Sequence, residues 1–185
     1  MSDTYYVKTF GGLEITNDNV TVNIVELFGK QLVNLLQVLL FHSEKPVQKD
    51  ELIDILWPES KNPSSALKFS IFRLRAELNE IEFFKDKEVI VTTRKGYILN
   101  PNLDWNIDFV ELEKAYNQIN DGSELLDEKE FKTARKIFRL YQGRFYASPS
   151  QLHWILQKQE IFRQMYVKTM MRTSCYLYTQ KRYDE

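Results

Sequence analysis

Between Ser64 and Leu78 the chain sets four apolar residues against a run of donors, cations and aromatic rings. In a helix, 100° per residue brings Leu67, Ile71, Leu74 and Leu78 onto one narrow stripe that can anchor the segment to a core. The other faces then carry Lys68, Phe69, Ser70, Phe72, Arg73 and Arg75. Such a set can neutralise anions, donate hydrogen bonds and pack against apolar groups, which is the chemistry of binding. Phe69 falls roughly opposite the stripe, where a solvated helix places a charge, so this face is expected to meet a partner. The stretch makes a rod about 22 Å long, a length that fits a DNA major groove.

Residues suited to catalysis or metal binding are few. His42 and His153 lie far apart on helix-prone segments, with no HExxH or CxxC spacing around them, so neither a metal nor a nucleophilic centre is expected. The lone Cys175 sits between Ser174 and Tyr176 with no local cue for a lowered thiol pKa, and it has no partner for an internal disulfide. Gly11-Gly12 lacks the spacing of a phosphate-cradling loop and is expected to form a hairpin turn. Acid pairs such as Asp50 with Glu51 and Glu111 with Glu113 are routine on helices. No enzyme activity, cofactor or metal is expected.

The elements that must position the binding stretch can be taken in order. Of the 185 residues 43% are hydrophobic and 14% aromatic, enough to bury a sizeable core in one or two domains. No apolar run approaches a membrane span, and a soluble, cytoplasmic protein is expected. A formal net charge of −1 excludes coating nucleic acid by bulk charge, so any such contact must be local. Tyr5 to Phe10, Leu13 to Thr16 and Val20 to Ile24 read as short strands of an antiparallel sheet. Leu32, Leu35, Leu36, Leu39 and Leu40 repeat at helical spacing between Lys30 and His42, and a shorter helix from about Gln48 to Trp57 ends before Pro58. Ser64 or Ser65 is the expected N-cap of the binding helix. Val89 to Thr93 and Tyr97 to Leu99 then flank Arg94-Lys95-Gly96 as a hairpin.

In this order, the strands, the Leu-rich helix, "ELIDILWP", the helix ending in "RLRAEL" and then "VTTRKGYIL" resemble the OmpR/PhoB-type winged-helix DNA-binding domain. The resemblance spans roughly residues 5 to 100 and sets the first domain at 1–100. It implies double-stranded DNA as the partner, helix 64–79 in the major groove and a wing at 92–97 in an adjacent minor groove. By position it implies that Arg73 reads a base, that Phe69 replaces a small apolar residue touching a thymine methyl, and that Ser70, Arg75 and Arg94 reach the DNA backbone. Lys68, Phe72, Thr93 and Lys95 complete the implied interface. Phe72 stands where many relatives carry a polar or basic residue, and the wing is shorter than in several relatives, which implies modest affinity for a single module.

Beyond Pro101 acidic residues dominate as far as Glu130, whereas from Lys132 to Arg182 the charge is basic with Glu160 as the one acid. Such asymmetry suits self-association or a second nucleic-acid patch, and also plain solvated helix faces. Three helices are expected. Phe109, Leu112, Tyr116 and Ile119 stripe the first, ended by Asp121-Gly122. Phe131, Ala134, Ile137, Phe138 and Tyr141 stripe the second, ended by Gly143. The third is expected from about Ser150 past Tyr178 with Leu152, Ile155, Leu156, Phe162, Tyr166, Met170 and Leu177 inward. "NIDFVELEKAY", "LYQGRFYA", Trp154 and the closing "LYTQKRYDE" resemble the tetratricopeptide-like bacterial transcriptional activator domain of SARP-type regulators. The expected architecture is therefore an α+β winged helix with an N-terminal antiparallel sheet, followed over 101–185 by an all-α tetratricopeptide-like domain, truncated relative to a longer regulator. The function implied is sequence-specific transcriptional regulation, with self-association on repeated half-sites and RNA polymerase as a further candidate partner. The alternative is a protein-interaction scaffold whose winged helix has lost DNA binding.

Overall fold

The computed structural model describes residues 4–119, 126–147 and 152–182. Strands β1 (Thr4–Lys8), β2 (Glu14–Asn17) and β3 (Val20–Asn23) fall on the three β-prone runs. β2 and β3 pair antiparallel with Ile15 opposite Val22, and Asp18 turns the hairpin at a φ of 50°, a conformation Asp tolerates better than most residues. β3 stops one residue before the expected end. The Asn23 side chain accepts from the Val25 amide and caps a four-residue helix, α1 (Ile24–Leu27), so Ile24 opens a helix instead of closing a strand.

Helices α2 (Lys30–Phe41), α3 (Lys49–Leu56) and α4 (Pro63–Asn79) follow. α2 is buried continuously from Leu32 to Leu40, which makes it the central rod of the first core. α4 lays Leu67, Ile71, Leu74 and Leu78 inward, each at most 3% exposed, as the periodicity requires. Its start differs from expectation: Asn62 is the N-cap, Pro63 opens the first turn, and Ser64 and Ser65 lie inside the helix. A proline lacks the N–H that has no intrahelical acceptor there, and its fixed φ already suits the helix. A 3-10 turn (Glu82–Phe84) leads to the hairpin β4 (Ile90–Thr92) and β5 (Tyr97–Leu99), in which Thr92 pairs with Tyr97. A further strand, β6 (Asp104–Ile107), was not expected from sequence. Its Asp and Asn are poor strand formers, yet it joins the sheet in the order β3-β2-β1-β6.

The chain divides into two compact units, Met1–Tyr6 with Glu14–Trp105, and Val7–Leu13 with Asn106–Glu185. This differs from a simple cut after residue 100. Trp105 belongs to the first unit because its ring lies 5.3 Å from Tyr5 and 5.9 Å from Phe84. Val7–Leu13 belongs to the second because Phe10 is fully buried against Tyr141 and edge-on to Phe162. Gly11, with a φ of +85°, passes close to this unit's own backbone, donating its amide to the Arg144 carbonyl at 2.9 Å.

The second unit holds α5 (Asp108–Ile119), α6 (Glu128–Leu140) and α7 (His153–Thr179). Asp127 and Glu130 form a reciprocal capping box at the start of α6, satisfying two amides that lack helical partners. α7 buries Ile155, Phe162, Thr169, Thr173 and Tyr176. Leu156 and Met170, expected inward, are 41% and 43% exposed. The buried line runs at intervals of seven from Ile155 through Phe162 and Thr169 to Tyr176, so residues one place further on lie about 100° round the helix. The expected stop at Asp121-Gly122 and the last residues of "LYTQKRYDE" lie outside the described residues. Among the described residues no helix is long and apolar enough to cross a membrane, and no cluster of His, Cys, Asp or Glu could hold a metal ion.

Candidate nucleic-acid interface

With the apolar stripe of α4 fixed in the core, its opposite face is set by geometry alone. Phe69 and Phe72 are 61% and 70% exposed, and Lys68 and Arg73 are exposed beside them. Arg73 donates to Glu77 at 3.2 Å, one turn along the same helix, with both side chains open to water. An exposed pair of this kind contributes less than about 1 kcal/mol, so the guanidinium can exchange its partner at little cost. Ala76, and Ser65, which was read from sequence only as a candidate cap, are exposed on the same outward side, and the 100° rule that finds Phe69 would also have placed them there.

Two residues expected on the free faces are placed otherwise. Ser70 is only 8% exposed, beside the buried stripe. Arg75 is half-buried and turns back onto β4, donating from Nε and Nη2 to the Ile90 carbonyl at 3.1 and 2.7 Å and from Nη2 to Thr92 Oγ1 at 2.9 Å. It fastens the helix to the hairpin, because a charged donor spanning a backbone and a side-chain acceptor makes a strong, directional tie.

The hairpin tip is organised by Thr93. Its amide donates to the Gly96 carbonyl at 2.8 Å, and its Oγ1 accepts from the amides of Lys95 and Gly96 at 3.2 Å. Thr93 is thus a half-buried turn residue, while Arg94 and Lys95 project into solvent. Behind the tip, Val47 and Tyr97 exchange backbone hydrogen bonds of 2.8 and 3.0 Å. Gly96 has a φ of +148°, and a Cβ there would stand 1.8 Å from the Val47 carbonyl oxygen, so only glycine fits. From sequence the glycine was legible as a turn residue; its contact with Val47 carries no local signal.

A three-helix core whose last helix turns an open face to solvent, followed by a hairpin tied to that helix, defines the first unit as a winged-helix domain. Residues 25–99 match the family model described as "Transcriptional regulatory protein, C terminal", and over those residues the chain is similar to OmpR/PhoB-type winged-helix DNA-binding domains. In structure the chain is similar to Mycobacterium tuberculosis EmbR, solved in complex with a low-affinity phosphopeptide, with a TM-score of 0.66 at 17% identity over 92% of this chain and 44% of that one. It thus spans less than half the length of that protein. A second similar structure is the DNA-binding domain of E. coli CadC, with a TM-score of 0.39 at 25% identity, covering 51% of this chain and 88% of that one. No curated protein matches the chain in sequence. The fold, a winged helix followed by a helical unit, resembles that of the matched part of EmbR.

Proposed function

We propose that this chain is a sequence-specific transcriptional regulator of the SARP type, laying α4 in the major groove of double-stranded DNA and the wing at 92–97 in an adjacent minor groove. The observation that carries this reading is the outward face of α4, where Lys68, Phe69, Phe72 and Arg73 are exposed on a helix whose other side is locked into a core. Arg73 is the base reader in this scheme, since a guanidinium can donate to both acceptors on the major-groove edge of guanine. Lys68, Arg94 and Lys95 supply phosphate contacts, with Thr93 shaping the tip that presents them. Ser70 and Arg75 act by holding the helix and hairpin in place. The helical unit serves assembly on repeated half-sites or contact with RNA polymerase.

Selection of duplexes from a random pool tests the reading. A recovered motif bound with a steep salt dependence supports it, and its repeat spacing reports how many copies assemble. An unselective pool with flat salt dependence supports the scaffold alternative. Arg94→Ala should weaken binding to all duplexes alike and reduce the salt slope by about one phosphate's worth. Unchanged binding would remove the wing from the interface.

A further inference from the structure

Between β1 and β2 the segment Val7–Leu13 departs from the unit that holds most of both strands and packs in the second. A connection between neighbouring strands ordinarily runs over the surface. Here Val7, Thr9, Phe10 and Leu13 are each at most 2% exposed.

The segment is held as a ligand is held, by a plug, a polar clamp and main-chain pairing. Phe10 is the plug, with Tyr141, Phe162 and Phe145 around it at 5.2, 5.3 and 5.9 Å between ring centres. Asp108, the first residue of α5, is the clamp. Its carboxylate accepts from the Thr9 amide at 2.7 Å, from the Phe10 amide at 3.1 Å and from the Thr9 hydroxyl. The Gly11 amide donates to the Arg144 carbonyl at 2.9 Å, and the Tyr146 amide to the Thr9 carbonyl at 2.7 Å. The two backbones can approach this closely because Gly11 and Gly143 take φ values of +85° and +139° without a side chain between them.

What the segment would leave behind decides the energetics. Asp108 would lose these three donors while its carboxyl stayed buried, and the Tyr146 amide and Arg144 carbonyl would lose their pairing. Phe145 and Phe162, both fully buried, would face an empty slot. Each loss is destabilising on its own, and all of them fall together on the helical unit. The stripe and core that fix α2 to α4 contain none of these residues.

We infer that Val7–Leu13 is a strap, an internal ligand whose docking closes the helical unit and whose release opens α5 to α7 while α2 to α4 stay folded. The chain thus carries a two-state element that is independent of the proposed DNA reading. A ligand that competes for the slot, or one that holds the strap down, shifts the population between the two states.

Hydrogen exchange of the full chain, read segment by segment, tests this. Phe10→Ala should accelerate exchange in α5, α6 and α7 by about a hundredfold or more, as expected for emptying a buried phenyl site, while α2 to α4 exchange as in the parent. Phe10→Leu, which refills most of the slot, should recover most of the protection. Gly11→Ala and Gly12→Ala form a milder and sharper pair. A Cβ on Gly11 would stand 2.9 Å from the Gln142 carbonyl oxygen at a φ of +85°, whereas one on Gly12 meets nothing within 4 Å. Only the first should open the helices, by about tenfold or more. Asp108→Ala should act like Gly11→Ala. Asp108→Asn should stay close to the parent, since its amide can still accept from the two backbone N–H groups and donate to the Thr9 hydroxyl. If α5 to α7 keep their protection in Phe10→Ala and Gly11→Ala, the strap is not needed and the inference is overturned. It is overturned equally if α2 to α4 accelerate by the same factor in every destabilised variant, because the chain would then open as one body. Neither result bears on whether α4 reads DNA.

Discussion

Arg73 and Gly96 illustrate how a residue's surroundings decide what its loss would do. Arg73 is exposed and its ion pair with Glu77 is open to water, so Arg73→Ala should leave stability within about 0.5 kcal/mol of the parent. On the selected site it should lose about 1 to 3 kcal/mol of binding, with much less loss on scrambled DNA. Equal losses on the two duplexes would reassign Arg73 to phosphate. Gly96 makes no ligand contact of its own in the proposed scheme, yet its substitution should be the more damaging to the fold. An alanine Cβ would collide with the Val47 carbonyl and break the pair of hydrogen bonds between Val47 and Tyr97. Gly96→Ala is expected to lower stability by about 1 to 3 kcal/mol, measured as a fall in the urea midpoint, and to weaken DNA binding through the displaced wing. A variant as stable as the parent would mean the hairpin relaxes without cost.

Among the elements, α5 carries the clearest electrostatic signature. Burial pushes the Asp108 carboxyl up, against the hydrogen bonds it accepts from the Thr9 hydroxyl and amide and from the Phe10 amide. A carboxyl whose folded pKa is raised adds stability below its unfolded pKa and loses it as pH rises through the folded value. Glu111 behaves oppositely. Hydrogen bonds from Lys136 and then Lys114 hold its carboxyl below the ordinary value, so its contribution is present above the unfolded pKa and is lost as pH falls through the folded one. Lys136→Ala removes the 2.6 Å bond to Glu111 and should flatten the loss of stability on acidification between about pH 6 and pH 3. Urea midpoints across that range check it, and an unchanged profile would show that Lys114 alone suffices. The short elements were the hardest to read. α1 depends on a single Asn23 cap, and β6 is a four-residue strand with polar members whose pairing comes from a strand about a hundred residues away.

For the whole molecule, the position of Trp105 and of Val7–Leu13 changes where a DNA-binding fragment should end. A fragment of residues 1–100 lacks Trp105, whose rings pack on Tyr5 and Phe84, and Asp104, which accepts from the Thr4 hydroxyl at 2.6 Å. A fragment of residues 1–107 restores both. We expect the longer fragment to be more stable by about 1 to 3 kcal/mol in urea unfolding, and equal midpoints would show that Trp105 adds nothing. On DNA the longer fragment should keep the sequence preference but bind two-site duplexes less tightly than the full chain. Two linked modules raise each other's effective concentration at neighbouring half-sites, an avidity of roughly 10²-fold or more. If fragment and full chain match on two-site DNA, the helical unit works through another partner.

By itself the sequence determined what local periodicity and turn chemistry can determine. The stripe Leu67, Ile71, Leu74 and Leu78 set which side of α4 is buried, and Thr93 to Tyr97 set a hairpin, because helix and turn geometry act over a few residues whatever surrounds them. The order of these elements was sufficient for the winged-helix fold to be legible. Helical spacing already sets Ser70, three after Leu67 and four before Leu74, and Arg75, four after Ile71 and three before Leu78, nearer the stripe than Lys68 and Arg73. Tertiary structure decided what engages them, since the Ile90 carbonyl that holds Arg75 comes from another element. The same holds for Phe10, which reads as one more strand residue and is claimed instead by rings about 130 to 150 positions away. Apolar burial is proportional to area and indifferent to sequence separation, so a residue's final environment is fixed only once the whole chain has folded around it.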